Sequence, residues 1–423
     1  MKKHAFANNN FPISIENIYR AKVRLRGIAD HTPLQTNLRL SEKYDCNILL
    51  KREDLQVVRS YKIRGAYNKM SSLSPEDLAK GVICASAGNH AQGVAFACWK
   101  MKVKGKIYMP SVTPSQKIEK VRLFGKDQVE VVLVGDTYDD AFAEAKRDAE
   151  EHGKTIIHPF NDQWTIEGQG VVGVEILEDA QVPIDYVFAP IGGGGLMSGV
   201  GSYFRQMSPK TKLIGVEPAG APSMNAAFRE EKVIRLEKID PFVDGAAVKE
   251  VGNITFQICR EVLDEVALVK EGKVCTTILD VYNGDGMVVE PAGALSIAVL
   301  DQYKEQIKDK NVVCIVSGGN NDITRTEEIK ERSLLHEGLK HYFIIQFPQR
   351  AGALLEFIQL LGPNDDITRF EYDKKNSKAA GPALVGIEVK HYQDYENLEQ
   401  RMDEAGINFQ KLNQSPMLFN WFV

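Results

Sequence analysis

Gly81-Val82-Ile83-Cys84-Ala85-Ser86-Ala87-Gly88-Asn89-His90 joins a short apolar run to a small polar turn, after which Ala91, Val94, Ala95 and Cys98 recur at helical spacing. A run too short for a helix, closed by glycine and asparagine and followed by a 3.6-residue period, reads as buried strand, tight turn and helix. The unit recurs on both sides. Residues 46–51 are a strand ending in Arg52-Glu53-Asp54, and 106–110 are a strand ahead of Thr113-Pro114-Ser115, which opens a helix with a cap and an N1 proline. Residues 129–134 are the next strand, Asp136 caps a charged helix to about Gly153, and Thr155-Ile156-Ile157-His158-Pro159 follows.

The second half repeats the pattern. A helix over 164–180 precedes the strand Asp185-Tyr186-Val187-Phe188-Ala189-Pro190, which ends on Ile191-Gly192-Gly193-Gly194-Gly195-Leu196, and a further helix leads to the strand 212–217. Residues 219–285 carry no clear period. Glu290-Pro291 then opens a helix to about Lys310, and 311–316 are a strand stopping at Ser317-Gly318-Gly319-Asn320. Apolar strands alternating with helices define an α/β chain of parallel sheets wrapped on both faces, here two doubly wound lobes with a cleft between them. The first domain is expected over 1–330, its smaller lobe over roughly 55–158, with 331–338 as a linker. Residues 339–413 then read as a compact α+β module: strands at 341–347, 367–372, 383–390 and 408–412, with helices to Leu361 and over 394–405, in the βαββαβ order of ferredoxin-like folds. A tail, 414–423, ends the chain.

At 423 residues, 43% hydrophobic and 26% charged, the composition is that of a globular protein with room for two or three domains. A net charge of −5 and scattered lysines and arginines give no footprint for nucleic acid. No window approaches the roughly 20 apolar residues of a spanning helix, and Met1-Lys2-Lys3 has no apolar run behind it, so neither membrane nor secretion is expected. The six cysteines lie far apart with no C-x-x-C, which fits buried thiols in a reducing cytoplasm and no metal site.

A lysine stands out in Ser60-Tyr61-Lys62-Ile63-Arg64-Gly65-Ala66. Ile63, Ala66, Tyr67 and Met70 form one face of a helix, and Ser60 sits where an N-cap belongs, which puts Lys62 in the first turn. The helix start disfavours an ammonium there, but roughly 0.3–1 kcal/mol moves a pKa by less than about one unit, so a dry cleft would have to supply the rest. Three turns follow strands, where open parallel sheets bind ligands. Gly192, Gly193, Gly194 and Gly195, with Leu196, let the backbone approach an anion and aim N–H groups and a helix start at it, with a phosphate as the natural guest and a purely structural close-packing turn as the alternative. The run does not satisfy G-x-G-x-x-G, although Glu217 imitates the ribose-binding acid of that motif. Ser86, Ala87, Gly88, Asn89 and His90 offer a second anion seat, in which His90, taken alone, reads as a helix-start residue before a base. Ser317 offers a hydroxyl for a ring nitrogen or merely caps a turn, and Glu290 reads as an N-cap without chemistry. Lysine, phosphate seat, carboxylate seat and hydroxyl together meet the needs of pyridoxal phosphate acting on an amino acid.

Through S-Y-K-I-R-G-A at 60–66, S-A-G-N-H-A-Q-G at 86–93, G-G-G-G-L at 192–196 and S-G-G-N at 317–320, the chain from about residue 15 onward resembles the threonine dehydratases of the tryptophan-synthase-like (fold type II) pyridoxal-phosphate enzymes. The resemblance implies that Lys62 carries the cofactor and removes the substrate α-proton, that Asn89 bonds the ring 3′-oxygen, that 192–196 hold the phosphate and that Ser317 meets the pyridine nitrogen. It implies that 86–90 receive the carboxylate of L-threonine, which loses its hydroxyl to yield 2-oxobutanoate and ammonia, the first step of isoleucine biosynthesis. Serine racemases of this fold carry a serine where this chain has Ala87, which speaks against racemisation, and their cation site matches Glu217 but not Ser223. Residues 347–354 and the βαββαβ order look like the amino-acid-sensing, ACT-like domain of biosynthetic members, one module where some carry two. Isoleucine is the expected effector and a homotetramer the expected assembly. The rival readings are a serine dehydratase or another β-elimination or replacement enzyme of the same cofactor class, a nicotinamide-dependent dehydrogenase, and a non-catalytic amino-acid sensor; the last two leave Lys62 idle.

Overall fold

The protein, seen as a computed structural model, is described over residues 13–373 and 379–422. It divides into two compact units between Asp322 and Ile323.

In the first unit the strand Val82–Ala85, buried throughout, lies inside an all-parallel sheet, beside Gly105–Met109 on one side and Thr155–Ile156 on the other, with Val129–Leu133 at the far edge. Parallel neighbours need crossovers, and the helices Asn89–Met101, Ser115–Gly125 and Tyr138–His152 supply them. This sheet is an excursion from a larger one. Leaving the larger sheet after Asn47–Arg52, the chain builds the smaller and returns through the helix Gln163–Asp179. The larger sheet runs Leu34–Thr36, Asn47–Arg52, Asn311–Val316, Tyr186–Pro190, Lys212–Pro218, Glu265–Val269, parallel except for its first pair. Successive strands from Tyr186–Pro190 march to one side, and the last, Asn311–Val316, returns on the other. The order reverses between these two neighbours, so a crevice opens at their carboxyl ends, where Gly192 and Ser317 stand.

Local details depart from the sequence reading. Thr137, not Asp136, caps Tyr138–His152, in a capping box with Asp140. Pro114 occupies the cap position of Ser115–Gly125 and Thr113 makes no cap bond. The helix after Glu290 ends at Ala298, and short turns carry the chain to Ile307. The unclear stretch 219–285 holds the helices Ser223–Arg229, Asn253–Val262 and Glu271–Asp285 and the strand Glu265–Val269, around an irregular segment near 232–252.

The helix Lys62–Met70 buries Ile63, Ala66 and Met70 as expected, but also Arg64, Gly65 and Asn68, because helices flank it on two sides. Arg64, 1% exposed, donates to both oxygens of Glu53 at 2.8 and 2.9 Å and to Glu175 at 2.7 and 2.8 Å. Lys51 Nζ, equally buried, reaches Glu175 at 2.7 Å. Burial pushes the Glu175 carboxyl up, but Arg64 and Lys51 together bring it below its ordinary range.

The second unit forms a four-stranded antiparallel sheet ordered Asp365–Tyr372, Ala380–Val389, Lys340–Pro348, Phe409–Lys411, with the helices Ala353–Gln359 and Tyr392–Glu404 as its connections. That is the βαββαβ order. Its core packs Phe343, Phe347 and Phe357 against Val385, Ile387 and Leu398. The charged segment expected as a linker is the helix Thr326–Glu337, which lies with this unit, and a helix, Pro416–Phe422, occupies the expected tail.

Two anions and two cations balance in the buried network, so removing one cation strands a carboxylate. Arg64→Met is expected to lower unfolding stability by about 3–5 kcal/mol, read from urea titrations; a change within about 0.5 kcal/mol would contradict this.

Candidate active site

A cavity of about 450 Å³ opens at the strand ends, bringing together Lys62, Ser86, Asn89, Gly193, Glu290 and Ser317. Lys62 begins its helix, but Ser60 is not the cap. Ser60 is bridged to Gly318, and the N–H of Tyr61 donates to the Ser317 carbonyl at 3.3 Å, so this backbone is committed to the strand end. Tyr61 takes the cap position without a side-chain bond. The Lys62 Nζ donates to the Pro159 carbonyl at 3.1 Å. Burial, partly opposed by the charge of Glu290, lowers its pKa to about 8.

At the glycine corner, Gly194 has φ +92 and precedes the helix Gly195–Met207. A Cβ on Gly193 would lie 2.3 Å from the Phe160 ring, so only glycine fits there. Thr255 Oγ1 donates to the Gly193 carbonyl at 2.6 Å. In a trans peptide the N–H of Gly194 then points the opposite way, beside the N–H groups of Gly195 and Leu196, which have no partner within the helix. Leu196 itself is a core side chain, 2% exposed, and brings only its backbone. The corner offers backbone donors at a helix start, an arrangement that suits an anion.

In the second turn, Ser86 Oγ accepts from the Gly88 N–H at 3.2 Å, Ala87 lines the cavity, and Asn89 starts Asn89–Met101. The His90 ring is turned away: Nε2 is 2.7 Å from the Ile157 carbonyl, while Nδ1 is buried without a partner. Burial, reinforced by Lys62, drops its pKa to about 3, so the imidazole is neutral and adds no cation for a carboxylate. What His90 offers the turn is backbone. Ser317, 2% exposed, follows Asn311–Val316 directly.

The sequence reading missed Glu290, Asn320, Pro159 and Phe160. Glu290 stands at the cap position of Pro291–Ala298, yet its carboxylate makes no cap bond. It accepts from Asn89 Nδ2 at 2.7 and 2.9 Å, and burial pushes its pKa up to about 7. The signal was present, since a helix as apolar as Pro291–Ala298 is buried at every residue and carries its cap inside with it. The segment 155–159 is a strand only over Thr155–Ile156, and the loop beyond it carries Pro159 and Phe160 into the cleft. Glu217, 1% exposed, accepts from the N–H groups of Met224 and Asn225 at 2.7 and 2.8 Å, so its carboxyl is turned into the fold to serve that helix start. Among the described residues no group of three or more His, Cys, Asp or Glu side chains is placed to hold a metal, and no helix is long and apolar enough to cross a membrane.

A lysine with a lowered pKa beside a backbone anion seat is the site of an enzyme that uses pyridoxal phosphate. Residues 26–318 match the family described as pyridoxal-phosphate dependent enzyme, and 331–422 match the C-terminal regulatory domain of threonine dehydratase. The biosynthetic L-threonine dehydratase of Halalkalibacterium halodurans is 58% identical over 97% of this chain and 99% of its own. That of Bacillus subtilis is 56% identical over 98% of each. The structure of the processed form of threonine deaminase isoform 2 from Solanum lycopersicum superposes with a TM-score of 0.71 at 42% identity, over 76% of this chain and 94% of its own. The chain belongs to the pyridoxal-phosphate-dependent enzymes and, among them, to the biosynthetic threonine dehydratases.

Between about pH 8 and the ordinary lysine pKa of 10.5, the cofactor-free folded protein binds fewer protons at Lys62 than the unfolded chain. Stability should therefore rise with pH across that window. Lys62→Met is expected to remove this component from a series of denaturant titrations on cofactor-free protein; identical slopes for variant and wild type would contradict the desolvated amine.

Proposed function

We propose that the protein converts L-threonine to 2-oxobutanoate and ammonia, with Lys62 as the residue that holds pyridoxal phosphate and moves the α-proton. The residues present fit the cofactor: the glycine corner offers the N–H groups of a helix start to a phosphate, and the desolvated amine of Lys62 shares its cavity. That juxtaposition carries the reading. Gly192, Gly193, Gly194, Gly195 and Leu196 would hold the phosphate, Asn89 the ring 3′-oxygen and Ser317 the pyridine nitrogen. When bound, the cofactor withdraws electrons from the substrate Cα. Lys62, uncharged at a lower pH than an exposed lysine, takes the proton from Cα. The turn of Ser86, Ala87, Gly88, Asn89 and His90 receives the substrate carboxylate through backbone N–H groups. The β-hydroxyl departs with a proton as water, and the enamine that remains takes up water and hydrolyses to the 2-oxo acid and ammonia. Ser317 presents a hydroxyl rather than a carboxylate to the ring, which favours elimination over transamination.

The second unit is the regulatory one, and isoleucine is its proposed effector, inhibiting through an equilibrium coupling between two sites. Six free cysteines, five of them buried, support a place in the reducing cytoplasm, and a homotetramer is the proposed assembly.

Two experiments address these assignments. Purified wild type should show a visible cofactor absorbance that changes on adding threonine as 2-oxobutanoate accumulates, and Lys62→Ala should lose both the band and turnover; full turnover by the variant would refute the role of Lys62. A chain ending at Asp322 should keep turnover and lose inhibition by isoleucine, whereas inhibition that survives the truncation places the effector elsewhere.

A further inference from the structure

Asn89 is proposed above to face the ring 3′-oxygen, and an asparagine amide does so usefully only with its nitrogen forward, since an anionic oxygen needs a donor. Resting on that reading, we infer that Glu290 and Asn320 are positioning residues that fix which end of the Asn89 amide faces the cofactor.

The polarity of the chain of bonds starts from the backbone. Asn320 Nδ2 lies 2.8 Å from the Val58 carbonyl, an oxygen that can only accept, so this end of Asn320 is the donor. Its remaining N–H serves Asn89 Oδ1 at 2.8 Å, with Gln92 Oε1 further off at 3.3 Å. Lys120 Nζ donates to Asn320 Oδ1 at 3.3 Å, which agrees with the same orientation. Asn89 Oδ1 is thereby held as an acceptor, and Nδ2 is left facing Glu290, whose two oxygens lie 2.7 and 2.9 Å away. Reversing the amide would set its oxygen against a carboxylate and its nitrogen against a donor. Two opposed partners thus determine one orientation, and the carboxylate engages one N–H of Nδ2, leaving the second for an acceptor in the cavity that Asn89 lines. The neighbouring chain makes room for this arrangement: a Cβ on Gly318 would fall 2.4 Å from Glu290 Oε1. A carboxylate buried this deeply without a hydrogen bond to the helix it precedes is costly, and the orientation of Asn89 is what it secures.

The test uses full-length protein stripped of cofactor and titrated with pyridoxal phosphate, reading the dissociation constant and the absorbance maximum of the bound form. Asn89→Ala, Glu290→Ala and Asn320→Ala are each expected to weaken binding roughly tenfold and to shift the maximum in the same direction. In the Asn89→Ala background, Glu290→Ala should add almost nothing, because it acts through the missing amide. Glu290→Gln, which keeps an oxygen acceptor, should stay nearer to wild type than to Glu290→Ala. The inference is overturned if Glu290→Ala and Asn320→Ala leave both readouts unchanged while Asn89→Ala alters them, or if the effect of Glu290→Ala is fully additive with that of Asn89→Ala. Should Glu290→Ala fail to fold, an unchanged maximum and affinity in Asn320→Ala would overturn it alone. An unaltered Asn89→Ala would sink the cofactor contact of Asn89 and this inference with it, while loss of the band in Lys62→Ala would still support the lysine.

Discussion

The cleft depends on four charges with no access to water: Arg64 and Lys51 against Glu53 and Glu175. They join three parts of the chain. Lys51 is on a central strand of the larger sheet, Glu53 follows that strand, Glu175 is on the helix by which the chain returns from the smaller sheet, and Arg64 is two residues after Lys62. Burying four such groups is expensive, and apolar replacements of similar size would often be as stable. What the ions add is direction, since the two arms of a guanidinium reach two carboxylates in one geometry. We attribute to them the fixed start of the Lys62 helix relative to the strand ends where Gly192 and Ser317 stand.

Charge is treated differently inside the cleft. Lys62 makes its hydrogen bond to a carbonyl rather than to a carboxylate, and burial is the main influence on it. The two histidines nearby follow the same rule: His90 is held neutral, and His158, whose Nδ1 accepts from the N–H groups of Phe160 and Asn161, has its pKa lowered to about 4, first by burial and then by Lys62. With both imidazoles neutral, the groups that meet an anionic ligand are Lys62, the backbone donors and the other cations that line the cavity, Lys117, Lys120, Arg235 and Lys249. One protein therefore pairs its cations with carboxylates where it needs rigidity and gives one only a carbonyl to hydrogen-bond where it needs reactivity.

Much of this was legible in the residues. Strand, turn and helix units show in periodicity, and the glycine corner shows as a run of four glycines directly after a buried strand. The βαββαβ module was readable from the alternation of Val385, Ile387 and Val389, all of them buried. Less visible were features that depend on packing. Nothing in the helical period around Arg64 marks it as one of the most buried side chains, because burial of a charge is decided by partners such as Glu175, more than a hundred residues away. Glu290 resembled a helix cap, and its partner Asn89 lies two hundred residues earlier in the chain. Caps also moved by one residue, at Thr137 because of a local capping box with Asp140, and at Tyr61 because the preceding backbone bonds to the distant strand end at Ser317.

The central claim is that the Lys62 amine is the attachment point of the cofactor. Treating the holoenzyme with borohydride, digesting it and weighing the peptides tests this directly. A phosphopyridoxyl mass on the peptide containing Lys62, and on no other, is the predicted result; the label on a different lysine, with the Lys62 peptide unmodified, would contradict it.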